Sequence, residues 1–279
     1  MTPRVAMTIA GSDSGGGAGI EADLRTFTAH GVHGTVALTA VTAQSTVGVT
    51  AVAALEAEMV LSQISTVTDD IEVHAFKTGM LARPKTILAV GARAASGALG
   101  TLVVDPVLVS STGHSLMESG GAQAYREALL PHAHVLTPNL RETAVLLDID
   151  VRELSSSTAM AEAGEQLRRL GATWVVVKGG HLLEGGVTAT LAPDVVVGPD
   201  GVVELSKERV PTRNDHGTGC SMSSAIAANL ALGHATFAAI EQAKAFVHAG
   251  LVGAQHWELG HGHGPIDHMG WGGGASTAP

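Results

Sequence analysis

Asn214-Asp215-His216-Gly217-Thr218-Gly219-Cys220 runs directly into small and apolar residues, from Ser221 to Gly233. A Gly-Thr-Gly turn that opens a helix lets backbone N–H groups converge, unobstructed by side chains, at the positive end of the helix dipole. Such an end binds anions, and phosphate is the anion it suits. Cys220, the single cysteine among 279 residues, falls in the first turn of that helix. A helix N-terminus lowers a thiol's pKa and favours the thiolate. The alternative is a tight loop before a buried helix, with Cys220 filling space. A second glycine-rich stretch, Gly11-Ser12-Asp13-Ser14-Gly15-Gly16-Gly17-Ala18-Gly19, follows the first apolar run. Within it, Gly17 to Ala22 fits the dinucleotide pattern G-x-G-x-x-A. That pattern needs an acid closing the second strand to hold ribose hydroxyls, and Thr42-Ala43-Gln44-Ser45 stands there instead. No G-x-x-x-x-G-K-S/T is present, which removes a P-loop nucleotidase.

The elements that must position these residues alternate along the chain. Short apolar runs predict strands at Val5–Ala10, Thr35–Val41, Ala75–Thr78, Gly100–Val104, Val135–Thr137, Trp174–Lys178, Thr188–Ala192 and Val195–Val197. Helical patterns cover Ala18–His30, Ala57–Asp70, Lys85–Ser96, Gly121–Leu130, Leu140–Leu147, Thr158–Leu170, Ser221–Leu232 and Ile240–Glu258. Gly171 and Gly233 stand where helix C-caps belong, and Asp194–Lys207 reads as a hairpin around Pro199-Asp200-Gly201. Strand–helix alternation of this kind implies an α/β fold with a mainly parallel sheet covered by helices. Ligands of such sheets bind beyond the carboxyl ends of the strands. Ser12, Asp13, Gln44, Lys77, Asp105, Asn139 and Lys178 all fall at such ends, which points to one shared site. Residues 1–269 are expected to form a single domain, and the Gly- and Ser-rich stretch 270–279 a disordered tail.

Composition narrows the function. With 16 basic residues, 26 acidic ones, a formal charge of −10 and no Lys/Arg run, binding to a nucleic-acid polymer is disfavoured. One cysteine excludes an intrachain disulfide and a Cys-based zinc cluster. The first apolar run is too short for a signal peptide, and no apolar segment is long enough to span a membrane. The expectation is a soluble cytoplasmic enzyme. His256, His261, His263 and His268 cluster near the C-terminus, but their spacing matches no standard metal site. His216, just before the Gly-Thr-Gly turn, is the histidine placed next to the chemistry.

The motifs acquire a common meaning in order: the Gly-Ser-Asp opening, Thr42-Ala43-Gln44, Lys77-Thr78-Gly79-Met80-Leu81, Val104-Asp105-Pro106-Val107, Thr137-Pro138-Asn139-Leu140-Arg141-Glu142, Val177-Lys178-Gly179-Gly180-His181 and His216 to Cys220. From about Val5 to about His268 the chain closely resembles the hydroxymethylpyrimidine/phosphomethylpyrimidine kinases of thiamine biosynthesis, within the ribokinase-like family. The resemblance implies a ribokinase-like three-layer α/β/α sandwich. It implies an ATP- and Mg²⁺-dependent kinase that phosphorylates a small pyrimidine alcohol and then its monophosphate, and it suggests a homodimer. Phosphoryl transfer asks a protein to position reactants and stabilise spreading negative charge. Gly217, Thr218, Gly219 and Cys220 would then supply the anion hole, and Lys178 a point charge for ATP's phosphates. Asp105 and Glu142 would hold Mg²⁺ through water, with Asn139 as partner to phosphate or metal-bound water. Lys178 as a solvated strand-end lysine and Asn139 as a helix N-cap are the competing readings.

The resemblance also places Lys244 beside the nucleotide, Asp23 and Gln44 on the substrate, and Gly11 and Met80 against its ring. A carboxamide can pair with a ring nitrogen and its neighbouring amine, although Gln44 could equally be a polar strand terminus. Sugar kinases of the ribokinase-like family carry Asp where Cys220 stands, as the base for the acceptor hydroxyl; whether the thiol takes that proton here stays open. Gly15, Glu21 and Ser45 depart from the Ser, Gln and Asn common in the family, and Glu21 and Ser45 bear on substrate preference. The nearest rival is a pyridoxine/pyridoxal kinase of the same fold; a ligand sensor on an inactive kinase scaffold is the rival of another class.

Overall fold

The computed structural model describes residues 2–108, 118–180 and 190–272. By their contacts these divide into two compact units: the chain up to Lys77 together with everything from Val210, and the continuous stretch Thr78–Arg209.

In the first unit the strands lie in the order β3 (Gly48–Ala54), β2 (His33–Ser45), β1 (Val5–Ser12) and β4 (Ala75–Thr78). β1 and β2 pair in parallel and β2 and β3 antiparallel. Helix α1 (Gly19–Ala29) packs on β1 and β2, α2 (Ala57–Thr68) on β2, and α7 (Thr218–Ala231) on β1, α1 and α8 (Thr236–Gly253). Strand β3 was not anticipated. None of its residues is buried; its apolar run, Ala51 to Leu55, leads straight toward α2, and the strand forms by pairing with the unexpectedly long end of β2. α8 ends earlier than its apolar pattern, and the chain just beyond it is held by Asn214 Nδ2, which takes the carbonyls of Ala254 and Trp257, at 2.7 and 2.9 Å. No described helix is long and apolar enough to cross a membrane.

In the second unit β5 (Leu102–Val104), β6 (Val135–Leu136) and β7 (Trp174–Lys178) run parallel, and β8 (Leu191–Gly198) and β9 (Gly201–Glu208) continue the sheet antiparallel. α3 (Pro84–Ala95), α5 (Leu140–Leu147) and α6 (Ser157–Arg169) are regular helices. The helix expected at Gly121–Leu130 starts as α4 (Gly121–Ala124), widens into a π-helical turn at Tyr125–Leu129 and ends in a 3₁₀ turn at Leu130–His132. The expected hairpin closes at Gly198 opposite Gly201. The strands expected at Thr188–Ala192 and Val195–Val197 are, from Leu191 on, the single strand β8, which runs through Pro193, past the last β7–β8 pair at Lys178 and Asp194. The missing N–H of Pro193 therefore breaks no bond on that side. His181 and Thr188 lie outside the described residues, as does the tail beyond Gly272. Before that point Gly272 N–H donates to Asp267 Oδ2 at 2.6 Å. Gly171 and Gly233 follow the last residues of α6 and α7 with positive φ, as expected of helix-ending glycines.

Deep in the first unit sits a charged pair with no access to water. Lys77 and Asp23 are fully buried, with Lys77 Nζ 2.9 and 2.8 Å from the two Asp23 oxygens. Thr8 Oγ1 on β1 and Ser224 Oγ on α7 each donate to the same carboxylate at 2.6 Å. A buried pair stripped of one partner leaves an uncompensated charge, a loss of about 3–5 kcal/mol. Lys77→Met is therefore expected to cost about that much in urea unfolding, and Lys77→Met with Asp23→Asn clearly less. Equal losses for the single and double variants would show that the charge is not what matters.

Candidate active site

In the first unit, two glycine loops pack backbone against backbone. Gly217, the N-cap of α7, has φ +83 and no side chain caps this end of the helix. A Cβ on Gly217 would collide with the Gly17 carbonyl, and one on Gly17 with the His216 ring. Thr218 Oγ1 ties back to Asp215 O at 3.0 Å, and Cys220 follows in the first turn, half-buried and in no disulfide. From Ser221 to Asn229 the helix is buried. The result is a rigid, uncapped helix N-terminus with a thiol beside it.

The other glycine loop is organised differently. Asp13 Oδ1 accepts from Gly15 N–H at 2.8 Å, and Oδ2 from Gly17 and Ala18 N–H at 3.1 and 2.9 Å. The loop's converging amides are thus filled by the protein's own carboxylate. Glu21 braces the arrangement from α1, accepting from Ser12 Oγ and Asp13 N–H at 2.7 and 2.8 Å. Each carboxylate oxygen serves one donor there; a Gln would keep the Asp13 bond through its oxygen only by turning its NH2 on the Ser12 hydroxyl, which would then accept. Burial pushes the Asp13 carboxyl up, but hydrogen bonds from His216, Gly15 and Ala18, with attraction to His216, outweigh it and hold it below the usual range.

His216 joins this loop to Gln44. Its Nε2 lies 2.9 Å from Asp13 Oδ2 and 3.1 Å from the Gln44 carboxamide. An ionised carboxylate only accepts, so His216 carries its proton on Nε2 and donates it to Asp13; the Gln44 atom nearest that nitrogen is Nε2, while Gln44 Oε1 faces Thr42 Oγ1 at 3.4 Å. Gly11 is buried in β1, where the register shifts between Ala10 and Ser12. Lys244 lies half-buried on α8. Asp23, expected on the substrate, is instead fully buried with its carboxylate engaged by Lys77, Thr8 and Ser224.

The second unit holds the other charged cluster at its strand ends. Lys178 Nζ pairs with Asp105 Oδ1 at 2.9 Å, the lysine side chain 15% exposed and the aspartate 2%. Thr137 Oγ1 reaches the same Asp105 oxygen at 3.3 Å. Asn139 caps α5 in a reciprocal box with Glu142: Glu142 N–H donates to Asn139 Oδ1 at 2.9 Å, and Asn139 N–H to Glu142 Oε2 at 2.7 Å. The N-cap reading of Asn139 thus describes its side chain here. Burial drives the Glu142 carboxyl up, Lys178 pulls it down, Asp105 raises it again, and the Asn139 N–H lowers it; the outcome is about 8. Tyr125 is fully buried, and burial together with Asp105 and Glu142 pushes its phenol well above its ordinary value. Gly179 is explained by packing, since a Cβ there would collide with the Pro193 carbonyl, whereas Gly180 has open space. Met80 follows β4, half-exposed.

Tyr125, Thr137 and Asp194, whose Oδ1 accepts from Gly179 N–H at 3.0 Å, were not singled out from the sequence. Asp194 is set opposite Lys178 by the antiparallel pairing of β8 with β7, which no local signal in the sequence marks. Among the described residues, no three His, Cys, Asp or Glu side chains converge to hold a metal ion.

A mainly parallel sheet flanked by helices, carrying an uncapped glycine-led helix end and a lysine–carboxylate cluster, defines a ribokinase-like phosphotransferase. The family model for phosphomethylpyrimidine kinase matches residues 13–267, and the chain belongs to that family. It is 46% identical over 273 residues to a hydroxymethylpyrimidine/phosphomethylpyrimidine kinase of Rhizobium meliloti, covering 95% of this chain and 97% of that protein. Among solved structures it resembles a phosphomethylpyrimidine kinase of Clostridium difficile, with 36% identity, TM-score 0.75, and 88% and 97% of the two chains covered. It also resembles a Bacillus subtilis pyridoxal kinase solved as an ADP complex, with 36% identity, TM-score 0.85, and 96% and 98% covered.

The Glu142 carboxyl binds its proton more tightly in the folded chain than in the unfolded one. Stability from this group is therefore full below about pH 4.5 and is lost as pH rises toward about 8. Glu142→Gln, which keeps a capping oxygen, should flatten that decline. Urea unfolding at pH 5 and pH 8 reads it: the wild type is expected to lose on the order of a few kcal/mol more than the variant. Parallel declines would show that Glu142 is ionised at neutral pH.

Proposed function

We propose that this chain transfers the γ-phosphoryl group of ATP to the hydroxymethyl oxygen of 4-amino-5-hydroxymethyl-2-methylpyrimidine, and then phosphorylates the monophosphate to the pyrophosphate, in thiamine biosynthesis. The observation that carries this reading is the uncapped N-terminus of α7 with Cys220 in its first turn, in a chain whose full-length relatives bear that activity in their names. Gly217, Thr218, Gly219 and Cys220 receive the moving phosphoryl group through helix-end amides that need no reorganisation. Lys178 offers its ammonium to the phosphates and exchanges part of its hold on Asp105 to do so. Asn139 stands by as partner to phosphate or metal-bound water, and Lys244 lies beside the nucleotide.

Asp105 and Glu142, whose proton a bound cation would displace, would hold Mg²⁺ through water, and the ion would neutralise phosphate charge. Gln44, beside His216, pairs with the aminopyrimidine edge, while Gly11 and Met80 pack against the ring. Asp23 acts from behind, by holding α7. The β2–β3 hairpin leaves Val41, Val47 and Val52 exposed, which suits pairing with a second copy of the chain. The reading includes work in the cytoplasm on small molecules rather than on nucleic acid.

The structural likeness to a pyridoxal kinase supports pyridoxal phosphorylation as the second reading. Mass spectrometry of products from ATP, Mg²⁺ and either alcohol separates the two: pyrimidine mono- and pyrophosphate are expected, and turnover of pyridoxal alone would overturn the proposal. Gln44→Ala should weaken the aminopyrimidine by about ten- to a hundredfold and leave the KM for ATP nearly unchanged. Equal losses for both substrates would remove its specificity role.

Cys220→Ala and Lys178→Ala should each lower kcat by roughly a hundredfold or more while substrate binding persists. Cys220→Asp should recover part of the loss, with a pH–rate profile moved to lower pH. A Cys220→Ala enzyme with wild-type kcat would leave the helix-end amides as the motif's whole contribution.

A further inference from the structure

The stretch after α8, residues 254–268, runs back along the loop that precedes α7. Asn214 Nδ2 holds the carbonyls of Ala254 and Trp257 at 2.7 and 2.9 Å. His216 N–H donates to Gly264 O at 3.0 Å, and His263 Nδ1 lies 2.7 Å from Asp215 Oδ1. The same stretch reaches the β2–β3 turn, where Gly262 N–H meets Thr46 Oγ1 at 3.2 Å and His263 N–H meets Thr46 O at 3.0 Å. It ends with His268, which is 6% exposed, its Nε2 2.8 Å from Ser221 Oγ. Ser221 immediately follows Cys220, and its Oγ also lies 2.9 Å from Gly217 O.

Burial, with repulsion from Arg25, lowers the His268 imidazole to about 4 against the opposing effects of Asp267 and an Ile266 backbone hydrogen bond. The ring is therefore neutral near pH 7 and has one proton. The Ile266 bond favours the protonated ring, so it takes that proton from the other nitrogen. Nε2 is left as an acceptor for the Ser221 hydroxyl, whose single proton then goes to the ring rather than to Gly217 O. A buried directional bond of this kind fixes an orientation that apolar packing would leave free.

We propose that His268 is a positioning residue for catalysis: by accepting from Ser221 it fixes the first turn of α7, and with it the anion-binding amides of Gly217–Cys220. This rests on the reading of that helix end as the phosphoryl site. Three variants of the full chain test it, His268→Leu, His268→Gln and Ser221→Ala. Turnover is followed with ATP and the pyrimidine alcohol, and amide hydrogen exchange is followed at residues 217–221.

His268→Leu fills the space without accepting a hydrogen bond. It is expected to lower kcat by about ten- to a hundredfold, as displaced catalytic groups do, with the acceptor KM nearly unchanged and exchange at 217–221 faster. His268→Gln sets a carboxamide oxygen near the Nε2 position and should restore both. Ser221→Ala should match the Leu variant, and combining the two should add nothing further, as for partners in one interaction. Wild-type exchange and kcat in His268→Leu would overturn the proposal. So would a loss that Gln does not restore and Ser221→Ala does not reproduce, which would mark His268 as packing alone. Exchange is read without substrate, so a wrong assignment of the alcohol and a wrong role for His268 give different results.

Discussion

Helix α7 is small and apolar nearly all the way round, so burial alone gives it no preferred rotation; the Asp23 carboxylate supplies one. Held by Lys77 from β4 and Thr8 from β1, Asp23 offers its remaining acceptor capacity to Ser224. Sliding or turning α7 would leave a buried anion short of a donor, a cost of several kcal/mol. That penalty fixes which residues of α7 face the core and which end faces outward. The uncapped helix terminus inherits its direction from a charge it does not touch.

The two glycine-rich loops show how little composition says about use. Both lead into helices, and both converge backbone N–H groups. In the first, Asp13 lies close enough to fill those amides with its own carboxylate, and His216 and Glu21 hold it there. In the second, the residue at the cap is glycine, with no side chain to accept from the helix's first amides. Converging amides are thus filled or left open according to whether a carboxylate stands within reach. The dinucleotide-like pattern fails here for a positive reason as well as for its missing acid.

Most strands and helices were legible because each buries an apolar run or stripe of its own. The residues at strand ends were legible too, since polar side chains closing apolar strands are conspicuous: Lys178 and Asp105 form an ion pair, and Asn139 and Glu142 a capping box. What sequence alone did not disclose was pairing at a distance. β3 exists through its partner, the chain just beyond α8 is held by Asn214, and Asp23 is bound up by residues 15, 54 and 201 positions away. The π-helical turn at Tyr125 is equally invisible, because no local preference of Tyr-Arg-Glu-Ala-Leu separates it from an ordinary helix.

The first unit is assembled from two stretches of chain separated by the whole of the second, Thr78–Arg209. Its contacts are therefore of very different sequence range. The Asp23–Lys77 pair spans 54 residues, whereas Ser224 reaches Asp23 across 201 and His216 reaches Asp13 across 203. During synthesis, the second unit has all of its residues before α7 emerges, while the first waits with its lysine–aspartate pair lacking the serine that completes it. Long-range closure of this kind is slow to nucleate. The N-terminal end of α7 is thus among the last features to form, so a chain in which that end is in place has already brought both of its outer stretches together.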